Sequence, residues 1–340
     1  MAGTAAQNVS APMAPAVDRQ AREARRFAVA TLVMTAAFAL APFVGIYPIF
    51  LAKALCFALF ACAFNLLLGF GGLLSFGHAM FLGTAGYVSA HAAKVWGVPP
   101  ELAILAGTLA SAALGVITGL LAIRRQGIYF AMITLALAQM VFFFYLQTPF
   151  THGEDGIQAV PRGTLFGVLD LNQPLIIYYV VLAIFLAGFV LIHRVINSPF
   201  GNVLKAIREN EPRALSLGYD AERYKLLAFI LSATLSGLAG ATKAIVFQLA
   251  SLTDVQWQMS GEVVLMTLLG GMGTIFGPVV GAFVIVGIES YLSAGITIYQ
   301  WTFGAQWVTV ITGIIFVVCV LAFRRGIVGE LGAWLARRNG

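Results

Sequence analysis

Chemistry in a protein chain needs nucleophiles, acids and bases, metal ligands or phosphate cradles at workable spacing, and this sequence holds few. The phosphate-binding pattern Gly-x-x-x-x-Gly-Lys-[Ser/Thr] does not occur, and neither does the dipeptide Gly-Lys. Cys56, Cys62 and Cys319 all fall inside apolar runs. They read as small buried hydrophobes rather than a disulfide framework or a metal set. No Ser-His-Asp arrangement can be defended, so no catalytic residue is assigned. What remains is a handful of ionisable residues within or beside long apolar stretches: His78, Lys243, Glu262 and Glu289. Charge is costly in an apolar medium, so such residues mark solute or ion pathways by default. Lys243 and Glu262 lie toward the ends of their runs, where snorkelling explains Lys243 simply. Glu289 lies well inside its run, and either pairing with Lys243 or facing a pathway accounts for it. His78 has two readings: a gate or proton relay, and the plainer one of a hydrogen-bonded structural group.

Two glycine-rich stretches, 69–77 and 270–277, carry the other candidate positions. Each contains Leu-Leu-Gly followed within a few residues by Phe-Gly. The residues of interest there are Asn65, Gly71, Ser75, Phe76, Gly77 and His78 around the first, and Gly271, Gly273 and Thr274 in the second. A helix broken inside a membrane exposes N–H and C=O groups that can meet a polar solute. The competing reading is that these glycines only let helices pack closely.

The elements that position these residues follow from composition. The 340 residues are 60% apolar and 10% charged, and the mean hydropathy is +0.91. Soluble domains carry about 25% charged residues, so the bilayer must be the solvent. Long unbroken apolar runs, rather than short alternating ones, select helices over a barrel. At about 20 residues per span the sequence predicts roughly ten helices, near 27–48, 49–70, 76–97, 101–123, 127–147, 174–197, 225–248, 262–274, 277–296 and 302–323. The eighth is short enough that nine spans and a re-entrant segment is an alternative.

With the N-terminus cytoplasmic, 16 of the 20 Lys and Arg fall on the cytoplasmic side. Only Lys53, Lys94, Arg162 and Lys243 fall elsewhere. That asymmetry supports the count and puts both termini inside. It also explains the net charge of +6 without nucleic acid. Residues 1–26 are expected as a disordered basic tail, 27–325 as the membrane domain, and 326–340 as a second cytoplasmic tail.

The hydrophilic segment 198–224 is the most informative loop. Asn210 or Glu211 suits a helix cap, Pro212 a first helical position and Gly218 a left-handed stop. A helix over 212–217, with Ala214, Leu215 and Leu217 on its apolar side and Glu211 and Arg213 flanking it, is too short to stand alone. It makes sense docked into a groove on a partner, or lying as an amphipathic loop on the headgroups.

The run Glu211-Pro212-Arg213-Ala214-Leu215-Ser216-Leu217-Gly218 resembles the Glu-Ala-Ala-x-x-x-Gly core of ABC importer permeases. Ala206-Ile207-Arg208-Glu209-Asn210-Glu211, Lys225-Leu226-Leu227-Ala228-Phe229, Asn65 to His78, Arg125 to Ala131, and Leu268 to Gly273 with Gly277-Pro278 resemble the branched-chain amino acid permease family, and its LivM-type subunit in particular. The resemblance covers most of residues 50–325. It departs at His152-Gly153, where the family often has consecutive glycines.

Membership would imply an all-helical permease fold in a bacterial inner membrane. The chain itself would bind no cofactor, since ATP and Mg would sit on partner ATPases. The implied partners are a second homologous permease, two cytoplasmic ABC ATPases, a periplasmic solute-binding protein and membrane lipid. The coupling residues would be Glu209, Glu211, Arg213, Ala214, Leu217 and Gly218. Branched-chain amino acids are the expected cargo, with urea, amides or aromatic acids as alternatives. A proton-coupled secondary transporter built on Glu289 and His78 is the rival mechanism. A passive channel or lipid-embedded enzyme subunit is a further rival, and it would leave the 198–224 segment without a role.

Overall fold

The computed structural model describes residues 14–293, 296–298, 301–303, 310, 313–314, 317 and 326–330. The chain divides into two units, Met1–Ile46 and Tyr47–Gly340. In the first, helix α1 spans Ala14–Leu40 and passes into a single 3-10 turn at Ala41–Val44. The expected disordered tail is therefore helical from Ala14 onward. Its Ala, Arg, Glu and Gln are strong helix formers, and Pro15 fits a first turn.

The second unit is a helical bundle. Its long helices are α2 (Pro48–Asn65), α3 (His78–Lys94), α4 (Pro100–Ala122), α5 (Ile128–Gln147) and α6 (Pro174–Ile196). Two short ones follow, α7 (Pro199–Glu209) and α8 (Glu211–Ser216), then α9 (Ala221–Phe247), α10 (Trp257–Gly270) and α11 (Gly277–Ser293). Among the described residues, six segments are long and apolar enough to cross a membrane: Phe27–Val44, Pro48–Phe70, Pro100–Ala122, Ile128–Gln147, Pro174–Ile196 and Ala221–Phe247. Helices α3, α10 and α11 are shorter because each ends or begins at a glycine-rich break.

Helix α2 is the axis of the bundle. From Leu51 to Asn65 every residue but Lys53 is buried, as expected of a helix apolar all round. It packs against α6, α9 and α11, while α9 also lies along α3 and α4. These contacts are close because small residues line them. A Cβ at Gly240 would stand 2.0 Å from the Leu82 carbonyl oxygen, so α9 and α3 touch backbone to backbone. Ser111 Oγ donates to the Ala233 carbonyl (2.9 Å) and bridges α4 to α9. The outward faces stay apolar: Leu105, Leu109 and Leu120 on α4, and Met132, Met140 and Phe144 on α5, are exposed as lipid-facing residues would be.

The 148–173 segment is ordered by short strands. Ile157–Gln158 (β1) pairs antiparallel with Leu249–Ala250 (β4), and Thr164–Leu165 (β2) with Leu169–Asp170 (β3). Two cations pin it to helix ends. Lys94 donates to the Gln158 carbonyl (2.7 Å) and Arg162 to the Val246 carbonyl (2.6 Å).

Near the C-terminus, Ile296–Ile298 pairs antiparallel with Trp301–Phe303. The expected ninth span thus stops at Ser293. The tenth, 302–323, lies mostly outside the described residues, as does Cys319.

Candidate functional site: two helix breaks and the loop that reaches them

The 198–224 segment folds as two helices rather than the one expected. Ser198 caps α7 by accepting from the Gly201 amide (3.3 Å), with Pro199 in the first turn. Val203, Leu204 and Ile207 then fall at helical spacing, a signal the sequence carried and the reading above missed. Asn210 caps α8 by accepting from the Arg213 amide (3.0 Å), and Gly218 ends it at φ 88°, where only glycine is unstrained. Ile207, Ala214 and Ala221 bury together with Val203 and Tyr224 packed on them, so α7, α8 and the start of α9 form one small body. Lys225 pairs with Glu211 at 2.6 Å, its side chain almost wholly buried, and ties α8 to α9. Leu215 and Leu217 remain 54% and 69% exposed. Glu209, Arg213 and Gly218 are exposed beside them.

The two breaks meet at the end of the bundle nearest this body. Helix α2 widens into a π-turn over Leu66–Phe70 that Gly71 closes, a distortion frequent at functional sites. Asn65, which is buried, clamps one break to the other. Its Nδ2 donates to the Thr274 carbonyl (2.8 Å), and its Oδ1 accepts from the Gly273 amide (2.9 Å). The packing is tight enough that a Cβ at Gly69 would lie 2.7 Å from the Gly273 nitrogen. Thr274 Oγ1 donates to the Gly271 carbonyl (2.7 Å) and accepts from the Gly277 amide (3.0 Å), which shapes the second break and starts α11. From α7, Arg208 Nη1 donates to the Gly69 carbonyl. Arg208 was not among the candidates singled out from sequence. Its guanidinium links the loop to the breaks by a hydrogen bond.

The first break is held on its other side as well. Ser75 Oγ accepts from the Gly77 amide (3.2 Å), and Thr134 Oγ1 of α5 accepts from the Phe76 amide (3.2 Å). A cavity of about 420 Å³ opens here, lined by Gly72, Leu73, Phe76, Gly127, Phe130 and Ala131 among others, within the size range of small-molecule pockets. His78 sits deeper. Its Nε2 lies 2.8 Å from Ser232 Oγ, and Phe64, Phe81 and Phe229 stand edge-on around the ring at 4.9–6.1 Å. Walled by rings, it meets no carboxyl group in these contacts, so the structural reading of His78 fits better than a relay.

The ionisable residues gather at the opposite end. Lys243 pairs with Asp254, not with Glu289, and lies over the Phe57 ring. This corrects one of the two readings of Glu289. Glu289 of α11 instead neighbours Glu262 of α10, with Lys53 and Lys243 also within electrostatic range of Glu262. Sequence spacing placed these residues in separate runs, and only the antiparallel packing of α2, α9, α10 and α11 assembles them. Glu289 and His78 therefore do not form the pair that a proton relay would need.

Residues 46–320 match the family model for "Branched-chain amino acid transport system / permease component". The "High-affinity branched-chain amino acid transport system permease protein LivM" of Escherichia coli (strain K12) is 27% identical over 305 residues, covering 82% of this chain and 72% of that protein. The "Ribose import permease protein RbsC" of Bacillus subtilis is 29% identical over 246 residues, 68% of this chain and 70% of its own. The "Autoinducer 2 import system permease protein LsrC" of Klebsiella pneumoniae is 30% identical over 190 residues, about half of each chain. No solved structure matches significantly. The chain belongs to the branched-chain amino acid transport permease family, the multi-pass inner-membrane permeases of ABC importers.

Proposed function

We propose that this chain is one of two homologous permeases in an importer of branched-chain amino acids, driven by two cytoplasmic ATPases that grip α8 and supplied by a periplasmic solute-binding protein. The observation that carries the reading is α8 itself. Its buried Ala214 and the Glu211–Lys225 pair hold it to the bundle, while Leu215 and Leu217 stay exposed. A short helix fixed at its base with two uncovered leucines fits a groove on a partner.

In this reading the α8 side faces the cytoplasm, in keeping with the Lys and Arg asymmetry, and both termini lie there. Glu209, Glu211, Arg213, Ala214, Leu217 and Gly218 form the coupling element. Movement of α8 then alternates access through the bundle. The breaks shape the pathway through Asn65, Gly71, Ser75, Phe76, Gly77, Gly271, Gly273 and Thr274, with His78 held behind them as a structural group. Lys53 and Glu289 at the far end offer a cation and a carboxyl group to the two ends of an amino acid. The ribose and autoinducer 2 importers among the relatives mean that cargo has to be measured.

The test uses the tagged chain in its host membrane. Gentle solubilisation should bring down an ATPase and a second permease, and Gly218→Pro should lose the ATPase. Membrane vesicles should take up leucine only with ATP, with isoleucine and valine competing and urea not. A chain that purifies alone, or uptake that survives without ATP, would overturn the proposal.

A further inference from the structure

The Arg208 side chain bridges the cytoplasmic loop body and the π-turn that ends α2. It leaves α7 one turn before α8, and its guanidinium donates to the Gly69 carbonyl at the end of α2. That carbonyl is available for a physical reason. The last carbonyls of a helix have no partner within it, and the turn that closes α2 uses others: the Gly72 amide bonds Leu68 O (3.1 Å) and the Leu73 amide bonds Leu67 O (3.2 Å). A cation at this position also suits the negative end of the helix dipole. Lys205, one turn earlier on α7, lies 5.7 Å from the Phe70 ring and docks against the same helix end.

One guanidinium reaches both breaks. A Cβ at Gly72 would stand 2.9 Å from Arg208 Cγ, and one at Gly273 would stand 3.7 Å from Nη1. Asn65 already joins the breaks at Gly273 and Thr274. On its other side Arg208 is rigidly tied to α8, because Ile207 and Ala214 bury together and Asn210 both follows α7 and caps α8.

We propose that Arg208 is the positioning residue that transmits movement of α8 directly to the paired breaks, in addition to any tilting of α6 and α9. This inference rests on the importer reading given above. When α8 is displaced, Arg208 moves with it. The Gly69 carbonyl is pulled or released, and the Asn65 clamp carries the change into the second break.

The experiment compares the whole purified complex in proteoliposomes, carrying wild type, Arg208→Met or Arg208→Lys. ATP hydrolysis and solute uptake are measured together. Arg208→Met should keep its ATPase and hydrolyse ATP near the wild-type rate, while solute moved per ATP falls about ten-fold, the size of an ordinary coupling free energy. Arg208→Lys retains a donor and should recover part of the loss. A purely stabilising role would lower hydrolysis and uptake together and leave the ratio unchanged, which overturns the proposal. Loss of the ATPase from Arg208→Met overturns it too, by making Arg208 a docking residue. If the wild-type complex holds no ATPase, the importer reading itself falls and takes this inference with it. A coupled wild type beside a fully coupled Arg208→Met sinks the inference alone.

Discussion

Replacing Asn65 with alanine removes the clamp between the two breaks and leaves the Gly273 amide and the Thr274 carbonyl without it. Asn65 is 2% exposed, and its bonds are 2.8 and 2.9 Å. In water, stripping one partner from a buried bond costs about 1–3 kcal/mol. Between helices in a membrane the measured average is about 0.6 and the maximum about 1.7 kcal/mol, because the unfolded chain also finds partners in lipid. The membrane scale applies here, so two bonds together should be worth about 1–3 kcal/mol. Asn65→Ala should lower the unfolding midpoint in detergent accordingly and leave KM for solute unchanged. Asn65→Asp keeps an acceptor for the Gly273 amide but turns an oxygen toward the Thr274 carbonyl, so it should do no better. If Asn65→Ala unfolds like the wild type while KM rises about ten-fold, near the 1.4 kcal/mol of one lost solute contact, then Asn65 touches the solute and the clamp is the wrong account.

Further outcomes follow from the same geometry. Lys243→Met leaves Asp254 unpaired at a nearly buried site, with side-chain exposures of 15% and 13% in the pair. It should destabilise the protein by about 3 kcal/mol, and adding Asp254→Asn should recover much of that in a double-mutant unfolding series. Gly240→Val drives a side chain toward the Leu82 carbonyl, which a Cβ would approach to 2.0 Å, and should abolish folded protein in size-exclusion runs. Glu289→Gln should raise KM about ten-fold or more, since a hydrogen bond to a charged group is worth about 1.5–3 kcal/mol, while uptake stays strictly ATP-dependent. Uptake without ATP in the wild type, abolished by Glu289→Gln, would favour proton coupling instead.

Much of the fold was legible because the bilayer imposes one rule on every span. Apolar length alone located the long helices α2 to α6, α9 and α11 to within a few residues, while α10 begins five residues before the expected 262. The α8 cap at Asn210 and stop at Gly218 were also local signals, written in residues that satisfy helix ends.

Three features were not readable in this way. Helix α7 carried its own cap at Ser198 and a helical apolar spacing, yet its charged face read as loop. The partners of Lys243 and Glu289 depend on which helices face each other, which hydropathy does not encode. Arg208 looked like one more basic residue on a cytoplasmic loop until the π-turn at Leu66–Phe70 placed the Gly69 carbonyl within its reach. The tail read as disordered from its Ala, Pro, Ser and Thr, whereas from Ala14 onward the chain is helical, in keeping with the helix preference of its Ala, Arg, Glu and Gln.

The central claim is that a separate ATPase grips α8, and a single cross-link tests it most directly. A chain lacking Cys56, Cys62 and Cys319 would carry one new cysteine, at Leu217 on α8 or at Phe166 on the β2–β3 turn, both strongly exposed. A thiol cross-linker is then applied in native membranes. The account predicts a covalent adduct with an ATPase from Leu217→Cys and none from Phe166→Cys, with the yield changing when ATP is added. No ATPase adduct from Leu217→Cys, or equal adducts from both positions, would contradict it.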